Sequence, residues 1–218
     1  MAILENFEPK NVFHYFEEIC GIPHGSGNTK QISDYLVSFA KEHDLKYVQD
    51  GMNNVVIYKP ATPGYENAPT VILQGHMDMV CAKCPEIEHD FTKDGLKLVV
   101  KDGFLSAEGT TLGGDDGIAV AYGLALLDST DLPHPALEVV FTVDEETGLL
   151  GADGFDCSLL KGRRMINLDS EKEGCLWVSC AGGVAGNSYL PVRRVDASGR
   201  KVNVKVCGLV GGHSGAEI

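Results

Sequence analysis

The stretch Val71-Ile-Leu-Gln-Gly-His-Met-Asp78 is an apolar run that ends on an imidazole and a carboxylate. Such a run predicts a buried strand whose polar end lies at the carboxyl edge of a sheet, where open α/β sheets build their sites. His76 and Asp78 are two positions apart, so in a continuing strand both would lie on one face. One of them can then bind a metal ion while the other orients it. A histidine that caps a strand, followed by an aspartate that starts a turn, would give the same pattern.

Two further apolar runs end on carboxylates. The run 139–146 ends on Glu145 and Glu146, and the run 165–169 ends on Asp169. Adjacent carboxylates repel each other, and nothing obliges a fold to place them at the end of a strand. A metal ligand beside a base that takes a proton from water would explain the pair, provided that the strand bends there. Asp169 also fits a turn-forming role.

A fourth acidic motif lies in the glycine-rich turn Thr-Thr-Leu-Gly-Gly-Asp-Asp-Gly, residues 110–117. Asp115 and Asp116 directly precede a predicted helix, where carboxylates also serve as N-caps. Each motif alone has such an alternative reading. The four together supply the nitrogen and oxygen ligands that divalent metals prefer, and they predict a metal-dependent hydrolase.

The predicted elements alternate as in an α/β protein with a largely parallel sheet flanked by helices. Helices are expected at 10–20, at 28–43 with Asn28 as the N-cap, and at 118–127. Strands are expected at 54–59, 71–76, 96–100, 104–107, 137–143, 164–168 and 175–180.

The sequence changes character near residue 181. Short β-like runs follow at 186–192 and 201–207, and then the turn Gly-Gly-His-Ser-Gly at 211–215. We therefore expect residues 1–180 to be the N-terminal part of a catalytic domain and residues 181–218 to begin a smaller α+β domain.

The composition and net charge of the chain argue against some classes of binding partner. The chain has 218 residues, with 18 basic and 31 acidic side chains and a net charge of −13. This balance argues against a nucleic acid or an anionic membrane as a partner. No apolar run approaches the roughly 20 residues of a membrane helix, and the amino terminus lacks the layout of a signal peptide. These features predict a cytoplasmic protein.

The cysteines and serines favour no covalent mechanism. Seven cysteines form an odd set, which suits free thiols in a reducing compartment better than a disulfide framework. The Cys81-Ala-Lys-Cys84 spacing resembles half a zinc ribbon, but no second such motif follows, which favours an incidental or redox-sensitive pair. The Gly-x-Ser-x-Gly motif of serine hydrolases is absent from the sequence.

Taken in order, the acidic motifs resemble those of the two-zinc aminoacylase/carboxypeptidase family of metallopeptidases. Within that family, three further motifs resemble the aminoacyl-histidine (Xaa-His, or β-alanyl-histidine) dipeptidases. These are His-Asp-Phe at 89–91, Thr-Thr-Leu-Gly at 110–113 and Cys-Ala-Gly-Gly at 180–183. The resemblance covers essentially the whole chain and implies the catalytic domain of that family followed by the start of a lid domain.

The resemblance also implies a role for each site residue. His76, Asp115 and Asp169 would bind one metal ion, and Asp115 would bridge to a second ion that Glu146 also binds. Asp78 would orient His76. The resemblance further implies a cis peptide bond between Asp115 and Asp116.

Two residues would act on the substrate by the same resemblance. Glu145 would be the general base that removes a proton from a metal-bridging water and passes it to the leaving amine. His213 would be the lid-domain histidine that stabilises the oxyanion, often from the partner subunit of a dimer.

The resemblance implies two divalent ions, zinc first with cobalt or manganese as alternatives, a dipeptide substrate and a homodimer of the complete protein. Family members continue past the lid motif and supply a further histidine for the second ion. We therefore expect this chain to be truncated, to bind the second ion poorly and to have little activity alone. A tripeptidase, an N-acyl-amino-acid deacylase and a non-catalytic metal-binding or dimerising fragment remain as alternatives.

Overall fold

The computed structural model describes residues 3–170, 172–180, 182, 186–196 and 198–208. These residues fall into two compact units, one ending at Glu173 and one beginning at Gly174. The domain boundary predicted at 180/181 stays a prediction. His213 lies outside the described residues.

The predicted helices and strands of the first unit occur in the predicted order, and three short elements that were not predicted occur among them, the strand Lys46–Gln49, the helix Leu150–Asp153 and a 3-10 helix. The helices are α1 (Lys10–Cys20), α2 (Lys30–Glu42), α3 (Gly114–Asp128) and α4 (Leu150–Asp153), with a short 3-10 helix at Cys157–Leu159. The strands are β1 (Lys46–Gln49), β2 (Val55–Lys59), β3 (Val71–His76), β4 (Leu98–Lys101), β5 (Phe104–Ala107), β6 (Leu137–Thr142) and β7 (Arg164–Asn167).

Five strands form one sheet in the order β1-β2-β6-β3-β7. Strand β3 pairs in parallel with β6 on one side and with β7 on the other, whereas β1, β2 and β6 pair antiparallel. The α/β class is thus confirmed, in the form of a mixed sheet whose parallel part is β6-β3-β7. Strands β4 and β5, both expected from the sequence, form a separate antiparallel hairpin. Because β3, β6 and β7 run in the same direction, the residues that follow them meet at one edge of the sheet.

The main core lies between one face of the sheet and the helices α1, α2 and α3. Amphipathic spacing buries Phe16 and Ile19 of α1 in this core, as predicted. The small residues of α3 allow the helix to approach the sheet closely. A Cβ at Gly123 would lie 2.8 Å from Cζ of Phe141 on β6. The position of α3 therefore depends on a glycine that contacts the sheet.

Several sequence predictions differ from the structure. Thr29, and not Asn28, is the residue before α2, and its side chain makes no capping bond. Strand β1 was not predicted, because a four-residue edge strand that begins on lysine shows little apolar pattern. Residues 175–180 and the described parts of 186–192 and 201–207 form no strand. Apolar composition favours a strand only where a partner strand completes its hydrogen bonds.

Candidate metal centre

The imidazole of His76 is the centre of the candidate site. His76 is the last residue of β3, and it is 1% exposed. Its Nδ1 lies 2.9 Å from the main-chain oxygen of Asp78 and 3.3 Å from Oδ1 of the same residue. A proton on Nδ1 can therefore be donated to Asp78, and Nε2 remains as the atom that can bind a metal ion.

Asp115 occupies the position in front of Nε2. Its Oδ1 lies 3.0 Å from Nε2 of His76. Asp115 and Asp116 belong to the first turn of α3 but have non-helical backbone angles, and the peptide bond between them is cis, as the resemblance implies. The residue before α3 is Gly113, which has no side chain to cap the helix. The two aspartates therefore do not serve as the N-cap of α3, and both contact His76 instead.

Asp116 is a buried member of the site to which the family resemblance assigned no role. It is 2% exposed, and its Oδ2 accepts a hydrogen bond of 3.2 Å from the main-chain nitrogen of His76. The pKa of Asp116 is raised to about 7, chiefly by burial and also by the charges of Asp169 and Asp115, while the charge of His76 and the hydrogen bond from its main chain oppose the rise. The Asp-Asp pair in the sequence was the only sign of this contact.

The two adjacent glutamates lie beyond the end of β6, where the strand bends as expected. The bend is at Asp144, whose φ is 53°. Glu145 Oε2 lies 3.9 Å from Nε2 of His76, and the main-chain nitrogen of Glu145 donates a 3.1 Å hydrogen bond to Oδ1 of Asp78. The buried Asp78 therefore contacts both His76 and the backbone of the acidic pair.

Two sets of three donor residues come close enough to hold a metal ion among the residues that the structure describes. His76, Asp115 and Glu146 form one set, and His76, Glu145 and Asp169 form the other. Within each set the donor atoms lie within 4.8 Å of one another. Every metal-ligating residue predicted from the sequence, and the predicted base, is therefore present in one of these sets. The grouping pairs Asp169 with Glu145, and not with Asp115.

The electrostatics of this cluster favour a bound cation. Burial raises the pKa of Glu145 and of Glu146, and neighbouring carboxylates raise both further. Burial alone would lower the pKa of His76, but its hydrogen bonds to Asp115 and Asp78 outweigh burial and raise that pKa to about 11. In the absence of a metal ion, the protonated imidazole is thus the positive charge among the carboxylates. A divalent ion that binds there must displace that proton. The donor set, one imidazole with carboxylate oxygens, fits zinc, cobalt or manganese.

A cavity of about 220 Å³ opens beside this cluster. Glu145 and Asp169 line it together with Asn167 and Gln74, and apolar side chains such as Phe155 form the remainder of its wall. The strand residues that line it, Gln74, Val140 and Thr142, alternate with the core residues Leu73, Val139 and Phe141, which places the cavity on the other face of the sheet. Space for a small ligand is therefore present next to the carboxylates.

Comparison with known proteins agrees with the motif interpretation, although no family model matches the chain. The cytosol non-specific dipeptidase of Escherichia coli is 40% identical over 220 residues, which cover 100% of this chain and 45% of the relative. The structure of aminoacylhistidine dipeptidase from Vibrio alginolyticus superposes with a TM-score of 0.77 at 42% identity, covering 78% of this chain and 35% of that one. A tripeptidase structure from Staphylococcus aureus gives a TM-score of 0.62 at 27% identity, covering 74% and 43%.

The fold is the one found in dipeptidases and tripeptidases of the metallopeptidase class. The chain is a relative of the dipeptidases within that class, and the resemblance inferred from the motifs is confirmed. The chain spans less than half the length of these relatives. None of the helices in the described part of the chain has the length and apolar character that a membrane span requires.

Proposed function

We propose that the protein carrying this chain is a metal-dependent dipeptidase that hydrolyses dipeptides of the Xaa-His type. The observation that carries the proposal is the convergence of one buried imidazole and four carboxylates at the edge of β6-β3-β7. The identity of 40% over the whole chain to a dipeptidase supports the same reaction class. Hydrolysis adds water across the peptide bond, so the site must activate water, polarise a carbonyl and protonate an amine.

Six residues divide these tasks in our proposal. His76, Asp115 and Asp169 would hold one divalent ion, and Asp115 and Glu146 would hold a second, with zinc as the first choice of metal. Two such ions supply a lowered pKa for water and a polarised substrate carbonyl when bound. Asp78 keeps the Nδ1 proton of His76 in place, which the 3.3 Å contact supports.

Glu145 is the proposed general base. It is half-buried, its main chain is held by Asp78, and burial raises the pKa of its carboxyl group. A raised pKa makes a carboxylate a stronger acceptor for a proton of water near neutral pH. Glu145 then delivers that proton to the nitrogen of the leaving amino acid as the peptide bond breaks.

The remaining parts of the proposal concern residues and partners outside the described site. Residues 181–218 would begin the lid domain, and His213 within them would stabilise the oxyanion. The complete protein would be a homodimer in the cytoplasm. The cytosolic designation of the Escherichia coli relative supports that compartment.

The tripeptidase alternative has one observation in its favour, the TM-score of 0.62 with a tripeptidase structure. Its 27% identity is lower than the 40% and 42% with the two dipeptidases, which favours the dipeptide substrate. The deacylase alternative shares the same chemistry and differs only in the substrate.

The test compares three substrates with the complete protein that contains this chain. We expect zinc-loaded enzyme to hydrolyse Ala-His faster than Ala-Ala-Ala and N-acetylalanine, a chelator to abolish the activity, and added zinc to restore it. Activity that resists chelation contradicts the metal-dependent mechanism. Turnover of only the tripeptide or only the N-acyl compound establishes the corresponding alternative. Metal analysis with an activity assay on the same sample tests the reading as a non-catalytic fragment.

A further inference from the structure

The loop between α1 and α2 contacts the polypeptide that leaves β3 beside the metal centre. Gly25 and Met79 form a parallel bridge, and the main-chain nitrogen of Ser26 donates to the main-chain oxygen of Met79 at 3.2 Å. Gly25 allows the close approach, since a Cβ there would lie 2.2 Å from Sγ of Cys81. The sequence indicated only a glycine-rich loop at this place.

The side chain of Ser26 contacts the buried carboxylate that orients His76. Its Oγ donates to Oδ2 of Asp78 at 2.8 Å. The other oxygen of Asp78, Oδ1, accepts from the main-chain nitrogen of Glu145 and lies 3.3 Å from Nδ1 of His76. Asp78 is thus held by hydrogen bonds on both oxygens, and Ser26 is the partner on the side away from the imidazole.

The next residue of the same loop contacts the acidic pair from another direction. The main-chain nitrogen of Gly27 donates a 2.6 Å hydrogen bond to Oδ1 of Asp144, the residue before Glu145. Ser26 and Gly27 are adjacent, so a shift of one displaces the other. The loop therefore ties the end of β3 and the end of β6 together through Asp78 and Asp144.

We propose that Ser26 is a positioning residue of the metal centre. Its hydroxyl fixes the carboxylate of Asp78, and through Asp78 it sets the direction of Nε2 of His76 and the position of the Glu145 backbone. This inference rests on the proposed function, because it assigns Ser26 to the metal site proposed there. Ser26 itself touches neither a ligand atom of the ion nor the substrate.

The test is a titration of the metal-free chain with Co²⁺. Binding is monitored by the visible absorption of the bound ion, because the absorption bands report the geometry of the ligands. We expect Ser26→Ala to weaken Co²⁺ binding by about 3- to 10-fold, at the lower limit for residues that support ligands, and to change the absorption bands. Ser26→Thr keeps the hydroxyl and should restore both. Ser38→Ala is the matched control, since the hydroxyl of Ser38 makes a 2.9 Å bond to the main-chain oxygen of Asp34 on α2, outside the candidate site.

The unfolding midpoint of each metal-free variant separates positioning from general stability. We expect Ser26→Ala to unfold at a lower urea concentration than Ser38→Ala, because it removes a hydrogen bond to a buried carboxylate, but to remain folded under the conditions of the titration. If Ser26→Ala binds Co²⁺ with the affinity and the spectrum of the wild-type chain, the inference is overturned, and the proposed function is unaffected. An equal loss in Ser26→Ala and Ser26→Thr also overturns it, since the hydroxyl then has no specific effect. A wild-type chain that binds no Co²⁺ overturns the proposed metal site and this inference with it.

Discussion

Oδ1 of Asp78 lies 3.3 Å from Nδ1 of His76, and both side chains are almost completely buried. The contact fixes which ring nitrogen carries the proton, so that Nε2 is left for a metal ion. Burial opposes the charge of Asp78, yet hydrogen bonds from His76, Ser26 and the backbone of Glu145 hold its pKa below the ordinary value. The carboxyl group of Asp78 is therefore ionised near neutral pH.

The first prediction concerns this pair. Asp78→Asn keeps the size of the side chain but removes the charge that orients the imidazole. We expect the affinity for Zn²⁺ to fall about 10- to 100-fold, as measured by competition with a chelating dye. Asp102→Asn, in the exposed turn between β4 and β5, is the control because it removes a charge far from any contact with His76 in the described structure. Equal affinities in the two variants would contradict the orienting role.

The second prediction separates the two adjacent glutamates. Glu145→Gln should leave the zinc content of the complete enzyme unchanged and lower kcat by about 10²- to 10⁴-fold, the contribution typical of a general base. Glu146→Gln should instead lower the zinc content, because it removes a ligand. Metal analysis and steady-state kinetics on the same preparations provide the measurement. The opposite pattern would exchange the roles of the two residues.

The third prediction concerns the close packing beneath the site. A Cβ added at Gly75 would lie 2.5 Å from Cβ of Ala119 and 2.6 Å from Oδ2 of Asp116. We expect Gly75→Ala to lower the free energy of unfolding by about 1–3 kcal/mol, because β3 and α3 must move apart. Urea denaturation measures the change. Gly51→Ala is the matched control, since nothing lies within 4 Å of its Cβ position. A stability equal to that of the control would show that the contact relaxes freely.

The fourth prediction concerns thiol reactivity and its dependence on pH. Burial raises the pKa of Cys20 to about 12, with a smaller contribution from the charge of Glu17, and the residue is 2% exposed. A raised pKa leaves very little thiolate near neutral pH, so Cys20 should resist thiol reagents at about pH 8 in the native chain. Exposed cysteines such as Cys84 and Cys157 should react quickly. Peptide mass analysis after labelling, with and without denaturant, checks the result. Rapid native labelling of Cys20 would contradict its burial.

The sequence predicts well those helices and strands whose apolar pattern lies within a few consecutive residues. The apolar spacing of α1 and the apolar runs that become β3 and β6 are visible in a few consecutive residues. The run 175–180 shows where this reasoning fails. It has the composition of a strand, yet Leu176 and Val178 are almost fully exposed and the segment pairs with nothing in the described structure. A strand depends on a partner strand that is often distant in sequence, and the composition of the strand carries no record of that partner.

The candidate site was predictable in its donor residues and less so in its supporting residues. His76, Asp115, Glu145, Glu146 and Asp169 could be found because each follows an apolar run or a glycine-rich turn. The support from Ser26 could not be found in this way. Small polar residues in loops have many ordinary uses, and only the folded chain shows which carboxylate such a hydroxyl meets.

The sequence by itself determined the types of candidate donor residue and their order along the chain. It also determined that most of them follow strands that would end at one edge of the sheet. The tertiary structure alone decided which atoms meet. Nε2 of His76 contacts Asp115 across 39 residues, and Oγ of Ser26 contacts Asp78 across 52. It also decided that Asp116 turns inward to the His76 backbone. The physical reason is that such contacts depend on distances of a few ångströms, which are set by the packing of α3 and of the α1–α2 loop against the sheet.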